Sequence, residues 1–183
     1  MTFQPDDRVV YPGYGAGTIV GIEDKVFVGT TTRYYMLKMV ADEGEFMVPV
    51  DGAEALGIRP VLDSKVILRI LRSKPSELPE DYKERQAEVM QLLATSDAAQ
   101  MSRAARDLAW YAGFRTLTGR DVQLYEELQT LLASELALAL DVNLEEARNQ
   151  LTQILAATTE KAELEKARLE AAEQAALDSL DAD

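Results

Sequence analysis

Six cations, Lys65, Arg69, Arg72, Lys74, Lys83 and Arg85, lie close in sequence to one aromatic residue, Tyr82. Cations with a ring among them suit a nucleic-acid contact, because phosphates attract the charges and a flat face can press against a base. The same residues also fit a solvated helix face, with Glu80, Glu84 and Glu88 at one-turn spacing as partners.

Other chemistry finds little support. The string VVYPGYGAGTIVGIE, residues 9–23, is rich in glycine, but a phosphate cradle needs its glycines where a strand meets a helix N-terminus. Here the glycines lead into TIVGIEDKVF, a strand pattern, and position 18, where G-x-G-x-x-G requires glycine, is Thr18. The string therefore predicts a chain reversal set by Pro12 and the glycines at 13, 15 and 17. The acid pairs Asp6–Asp7, Glu126–Glu127 and Glu145–Glu146 are adjacent in sequence, so their side chains diverge on a strand or helix. DEGE at 42–45 lacks the ligand spacing of a calcium loop and predicts a hairpin turn. With no cysteine, no histidine and no serine, threonine or lysine beside an activating partner, the expectation is a binding protein rather than an enzyme, without metal or cofactor.

Charge is distributed unevenly. Residues 1–62 carry 5 basic and 9 acidic side chains, residues 63–120 carry 10 and 8, and residues 121–183 carry 4 and 15, for a net charge of -13. Only the middle of the chain is fit to approach a polyanion. The N-terminus MTFQPDDRVV lacks a signal-peptide pattern and no apolar run spans a bilayer, so the expectation is a cytoplasmic protein without membrane contact.

The elements that must position these residues change character near residue 62. Before it, DRVVYP, GTIVGIEDKVFVG, TRYYMLKMV and EFMVPV predict four or five short antiparallel strands, and so small a set would bury its apolar side best by curling into a barrel. After it the apolar period is helical. DSKVILRILRS aligns Val66, Ile67, Ile70 and Leu71, and four longer helical segments follow, the last opening with Asn143 and Glu146 at capping-box spacing. From about Ala156 the chain is almost all Ala, Glu, Lys, Leu and Gln, a solitary helix aided by pairs such as Glu163 with Lys166 and fraying at 177–183.

FQPDDRVVYPGYGAGTIVGIE, followed by RYYMLKMVADEGEFMVPVDGAEALGIRPVL, resembles the N-terminal module of bacterial CarD and CdnL transcription regulators, which is shared with the RNA polymerase-interacting domain of the transcription-repair coupling factor. LPEDYKERQAEVMQLLATSD and RDLAWYAGFRTLTGRDVQLYEELQTLLASELAL continue the likeness to about residue 155. The resemblance implies an α+β protein, a Tudor-like antiparallel β-barrel in residues 1–62 that binds the polymerase β subunit and an all-α bundle in residues 63–155 that contacts promoter DNA; residues 156–183, beyond the likeness, read from their composition as an acidic, helical extension. It places polymerase contacts at Lys25, Val26, Phe27, Arg33, Phe46 and Met47, with Lys25 at an often basic family position and Met47 where some relatives carry arginine.

In the family a tryptophan wedges into the DNA minor groove at the upstream edge of the transcription bubble and favours the open complex. The matching position here is Tyr82, flanked by Lys83 and Arg85, while Glu84 and Ala87 replace residues that are basic in some relatives. The resemblance thus implies a weakened or altered wedge, and DNA contact slight without the polymerase anchor. The sole tryptophan, Trp110, falls in RDLAWYAGF with Leu108, Tyr111 and Phe114 and is expected to pack the bundle. A monomeric regulator follows; a polymerase-tethered adaptor recruiting a partner through the acidic helix is the alternative.

Overall fold

A computed structural model describes residues 2–41 and 44–180, with side chains through Ala175. The predicted turn at 42–45 rests in part on Asp42 and Glu43, which lie outside the described residues; of the predicted fraying at 177–183, residues 177–180 are helical backbone and 181–183 lie outside the described residues.

The β-branched and aromatic runs form β1 (Arg8–Tyr11), β2 (Gly15–Phe27), β3 (Thr30–Met39) and β4 (Glu45–Pro49), and a two-residue β5 (Arg59–Pro60) completes the sheet. All pairings are antiparallel, in the order β4-β3-β2-β1-β5. Among the described residues the sheet stays open, with β4 and β5 as its edges, so the expected barrel closure is not observed. Its inner face buries Phe3, Val9, Ile19, Tyr35, Leu37, Met39 and Val48. The predicted reversal at the glycine string is present as the β1–β2 turn, where Tyr14 N–H donates to the Tyr11 carbonyl. Gly15 ends that turn at φ 93°, and a Cβ there would lie 2.6 Å from Ser134 Oγ, so glycine is required on both counts.

Five helices follow: α1 (Ser64–Leu71), α2 (Tyr82–Ala94), α3 (Ala98–Phe114), α4 (Gly119–Leu140) and α5 (Leu144–Leu180). Each of the first four begins behind a side chain that satisfies free backbone donors: Asp63, Asp81, Asp97 and Thr118, the last in a reciprocal capping box with Asp121. Asn143 accepts from Glu146 N–H at the start of α5. The bundle core gathers Ile67 and Leu71 of α1, Val89 of α2, Met101 and Leu108 of α3, Leu124, Leu128, Leu132 and Leu136 of α4, and Leu151 and Leu155 of α5. Each such side chain contributes roughly 1.5–3 kcal/mol on leaving water.

Sheet and bundle meet along the second half of α4, which is buried on every side from Leu132 to Ala137. Arg59 grips the buried Glu135 with two hydrogen bonds, at 2.6 and 2.8 Å, and Leu62 N–H donates to the same carboxylate at 2.8 Å. Ala16 N–H donates to Ser134 Oγ at 3.0 Å, and Arg8 bonds both the Leu138 carbonyl and the Asp141 carboxylate at the negative end of the helix. Where α5 crosses α3, Gly113 admits it, since a Cβ there would run into Ala162 and lie 2.6 Å from the Thr159 carbonyl. Past Ala162 no described α5 side chain is buried, and the ion pair that forms there is Glu165–Arg168 rather than the expected Glu163–Lys166. Among the described residues no helix is long and apolar enough to cross a membrane.

Candidate interaction surfaces

The first surface is the long β2–β3 hairpin. β1 pairs with β2 only from Gly15 to Thr18, and β4 pairs with β3 only from Tyr34 to Lys38, so the outer part of the hairpin runs on with ladder partners on one side alone. Its tip is a two-residue turn, Val28 at φ 49° and Gly29 at φ 80°, the pair of positive angles that matches strand twist in tight hairpins. Valine is a poor occupant of that region, and here its side chain is fully exposed.

Cross-strand register sorts the six expected polymerase-contact residues between two faces, because directly opposed residues share a face and neighbours along a strand do not. Lys25 opposite Thr32 and Phe27 opposite Thr30 share a face with Tyr34 and with Met47 opposite Met36. On that face Phe27 is 53% and Met47 47% exposed, and Phe27 meets Tyr34 edge-on at 6.2 Å. Val26 and Arg33 point to the other face, where Arg33 holds Asp24 by two hydrogen bonds, at 2.8 and 3.2 Å. That hydrogen bond and the arginine charge hold the Asp24 carboxyl below its ordinary range. Phe46 also lies on this side, opposite Leu37, but it packs against Tyr11 and Tyr14 beside the sheet core rather than joining the hairpin. Lys25 pairs with Glu23 at 2.5 Å. Tyr34 was not among the six named contacts; strand alternation through TRYYMLKM, counted from Thr32, is the signal that places it on the face of Met47, while Met36, opposite Met47, is buried.

The second surface is the start of α2. Asp81 caps the helix by accepting from Lys83 and Glu84 N–H at 2.8 and 3.1 Å, which leaves Tyr82 as the first helical residue with its ring 49% exposed. Lys83 Nζ lies 5.9 Å from that ring's centroid and is also exposed.

Arg85, expected beside them as a phosphate-contacting cation, is turned inward and only 2% exposed. Its guanidinium bonds Asp121 at 2.7 and 3.3 Å, the Pro79 and Glu80 carbonyls at 2.9 and 3.1 Å, and Tyr111 Oη at 3.0 Å, stacking 4.3 Å from the Tyr111 ring. Burial favours the neutral Asp121 carboxyl, but hydrogen bonds from Arg85 and Thr118 outweigh it and the net shift is downward. The hydrogen bond to Asp121 holds Arg85 above its ordinary value, so both groups stay charged. Arg85 cannot reach a phosphate from there; it fastens the Pro79–Glu80 segment that presents Tyr82.

Trp110, expected to pack the bundle, does so at its edge: half-buried, it tilts against Phe114 at 5.4 Å between centroids and borders open clefts.

The profile of the CarD-like/TRCF RID domain matches residues 3–62, and that of the CarD C-terminal domain matches residues 66–152. The chain belongs to the CarD-like family. Among curated proteins it is similar to "Putative transcription factor YdeB" of Bacillus subtilis strain 168, with 28% identity over 137 residues that cover 73% of this chain and 90% of that one. This CarD-like chain therefore belongs to a family of transcription-factor type, which supports a regulator role and is not a known enzyme class. The hairpin surface lies within the first match and Tyr82 within the second, while the last three turns of described α5 side chains, past Ala162, lie beyond both.

Proposed function

We propose that this protein is a non-enzymatic regulator that docks on the β subunit of RNA polymerase through its sheet and steadies the open promoter complex through Tyr82. Residues 1–62 act as the polymerase-binding unit, residues 63–155 as the DNA-contacting unit and residues 156–183 as an extension. The reading rests most on one observation, the outward face of Phe27, Tyr34 and Met47 beside unpaired strand edges on β2, β3 and β4. Free backbone donors and acceptors give an oriented grip that depends little on sequence, and exposed aromatic and thioether groups add apolar area to it.

With Arg85 buried, Lys83 is the cation left beside Tyr82, and Asp81 and Glu84 flank it. Neutralising one phosphate gives a salt slope of only about -0.9, so DNA affinity in solution is slight and the polymerase anchor supplies the local concentration. Stacking of a base on the tyrosine is worth on the order of 1–3 kcal/mol. A preference of about 1.4 kcal/mol for the melted fork over the duplex shifts the population about tenfold.

The test is the lifetime of open complexes on a linear promoter with wild type and with Tyr82→Ala. A shortened lifetime with unchanged polymerase capture supports the wedge role, and an unchanged lifetime removes it. A second reading, a tethered adaptor acting through its acidic helix, is favoured by the exposed Leu164 and Leu169 on the part of α5 that leaves the bundle. Truncation after Ala162 abolishes activity under that reading and leaves it nearly intact under the first.

A further inference from the structure

A cleft of about 530 Å³ opens between the loop after α1, Trp110 in the C-terminal part of α3 and one face of α5. Arg72, Lys74 and Lys161 stand around it, with the Trp110 indole in its wall, and no carboxylate lines it. In a chain with 32 acids against 19 bases that combination is unusual. Arg8, Arg33, Arg59, Arg85, Arg106 and Arg115 each hold a carboxylate; among the described residues the three cleft cations, like Lys65, Arg69 and Lys83, form no such pair. The cleft on the other side of Trp110 carries two carboxylates, Glu77 and Glu80, and a single cation, Arg115, which is already paired with Glu80.

The cationic loop is held in place rather than left free. Ser73 Oγ donates to the Ile70 carbonyl at 2.7 Å and accepts from Arg106 at 2.5 Å, and Ser76 N–H donates to Asp107 at 2.9 Å. Arg106 and Asp107 are themselves buried and paired at 2.7 Å, so the two ends of the Arg72–Lys74 loop are tied to one rigid ion pair. Arg106 also donates to the Ile70 carbonyl at 3.4 Å, which ties the C-terminal end of α1 to the same ion pair.

We infer that this cleft binds a nucleoside di- or triphosphate, with the base against Trp110 and the phosphates among Arg72, Lys74 and Lys161. Three convergent cations suit a polyphosphate better than a single charge, and the indole gives a planar base a stacking surface that inorganic phosphate cannot use. The Gln153 side chain on the α5 wall offers an amide to a base edge. The volume falls within the roughly 300–1,000 Å³ of small-molecule sites, and walls from three elements favour a compact ligand over a continuous strand. The site does not depend on the Tyr82 reading.

Trp110 is the only tryptophan, so its emission reports on the cleft directly. The purified full chain is titrated with ATP and GTP, and in separate arms with adenosine, inorganic pyrophosphate and a single-stranded oligonucleotide, with equilibrium dialysis as a second measure. The expected result is saturable binding of ATP or GTP, at least about tenfold tighter than adenosine or pyrophosphate and weakened by added salt. Combining Lys74→Gln with Lys161→Gln lowers affinity by about tenfold or more without altering the melting temperature, since both side chains are exposed. No saturable nucleotide binding overturns the assignment, as does equal binding by pyrophosphate, full binding by the double variant, or binding of the oligonucleotide alone.

Discussion

Arg85 and Asp121, 36 residues apart in sequence, form a two-point ion pair with 2% and 1% of their side chains exposed. It joins the start of α2 to the start of α4, and the same guanidinium carries the Pro79 and Glu80 carbonyls. The exposed ring of Tyr82 is thus fixed from beneath.

Removing one partner strands a buried charge. Arg85→Met should destabilise the fold by about 3–5 kcal/mol, and joining it to Asp121→Leu should recover much of the loss because no charge is then left unpaired. Urea unfolding of both singles and the double measures this; a double variant no better than the sum of the singles contradicts it.

Acid should act on the same pair. Asp121 has a folded-state pKa below its ordinary 3.8, so its contribution is complete above about pH 4 and declines as pH falls toward the depressed value. The stability gap between wild type and Asp121→Asn, measured in urea across pH 7 to 3, should stay flat to about pH 4 and narrow below it. A gap that widens with acid is inconsistent with a charged, hydrogen-bonded carboxylate.

At the junction of sheet and bundle, Glu135 is buried while Arg59 is about a quarter exposed (24%). Arg59→Met should cost on the order of 3 kcal/mol, somewhat less than the Arg85 change because water still reaches the guanidinium. Hydrogen exchange should show the loss first at Leu62, whose N–H shares the Glu135 carboxylate.

Gly113→Ala should weaken the seat of α5 by about 1–3 kcal/mol, since backbone at Thr159 cannot yield as a side-chain tip would. Proteolysis within α5 should rise accordingly. A melting temperature equal to wild type argues against the close crossing.

The periods of 2 and 3.6 made the four longer strands and all five helices legible, as did the glycine turn and the helix-start residues. Sheet closure was not legible: β5 is only Arg59–Pro60, too short to leave a pattern, and the edge it forms depends on register rather than composition. Nor does local sequence reveal which way a charged side chain turns. Arg85 stands among exposed Lys83 and Glu84, and its partner Asp121 reads alone as an ordinary helix-start acid. The face separating Met47 from Phe46 follows from alternation once the strand is known, whereas the half-burial of Trp110 depends on how α5 crosses α3.

The most direct measurement of the central claim is the affinity of the full chain for the isolated polymerase β subunit, wild type against the combined Phe27→Asp and Met47→Asp variant. Both side chains are exposed, so the fold should be kept while an apolar docking face becomes acidic. The account predicts saturable binding by wild type and a loss of at least about tenfold in the variant at unchanged melting temperature. Equal affinity of the two proteins, or no binding by wild type, would contradict it.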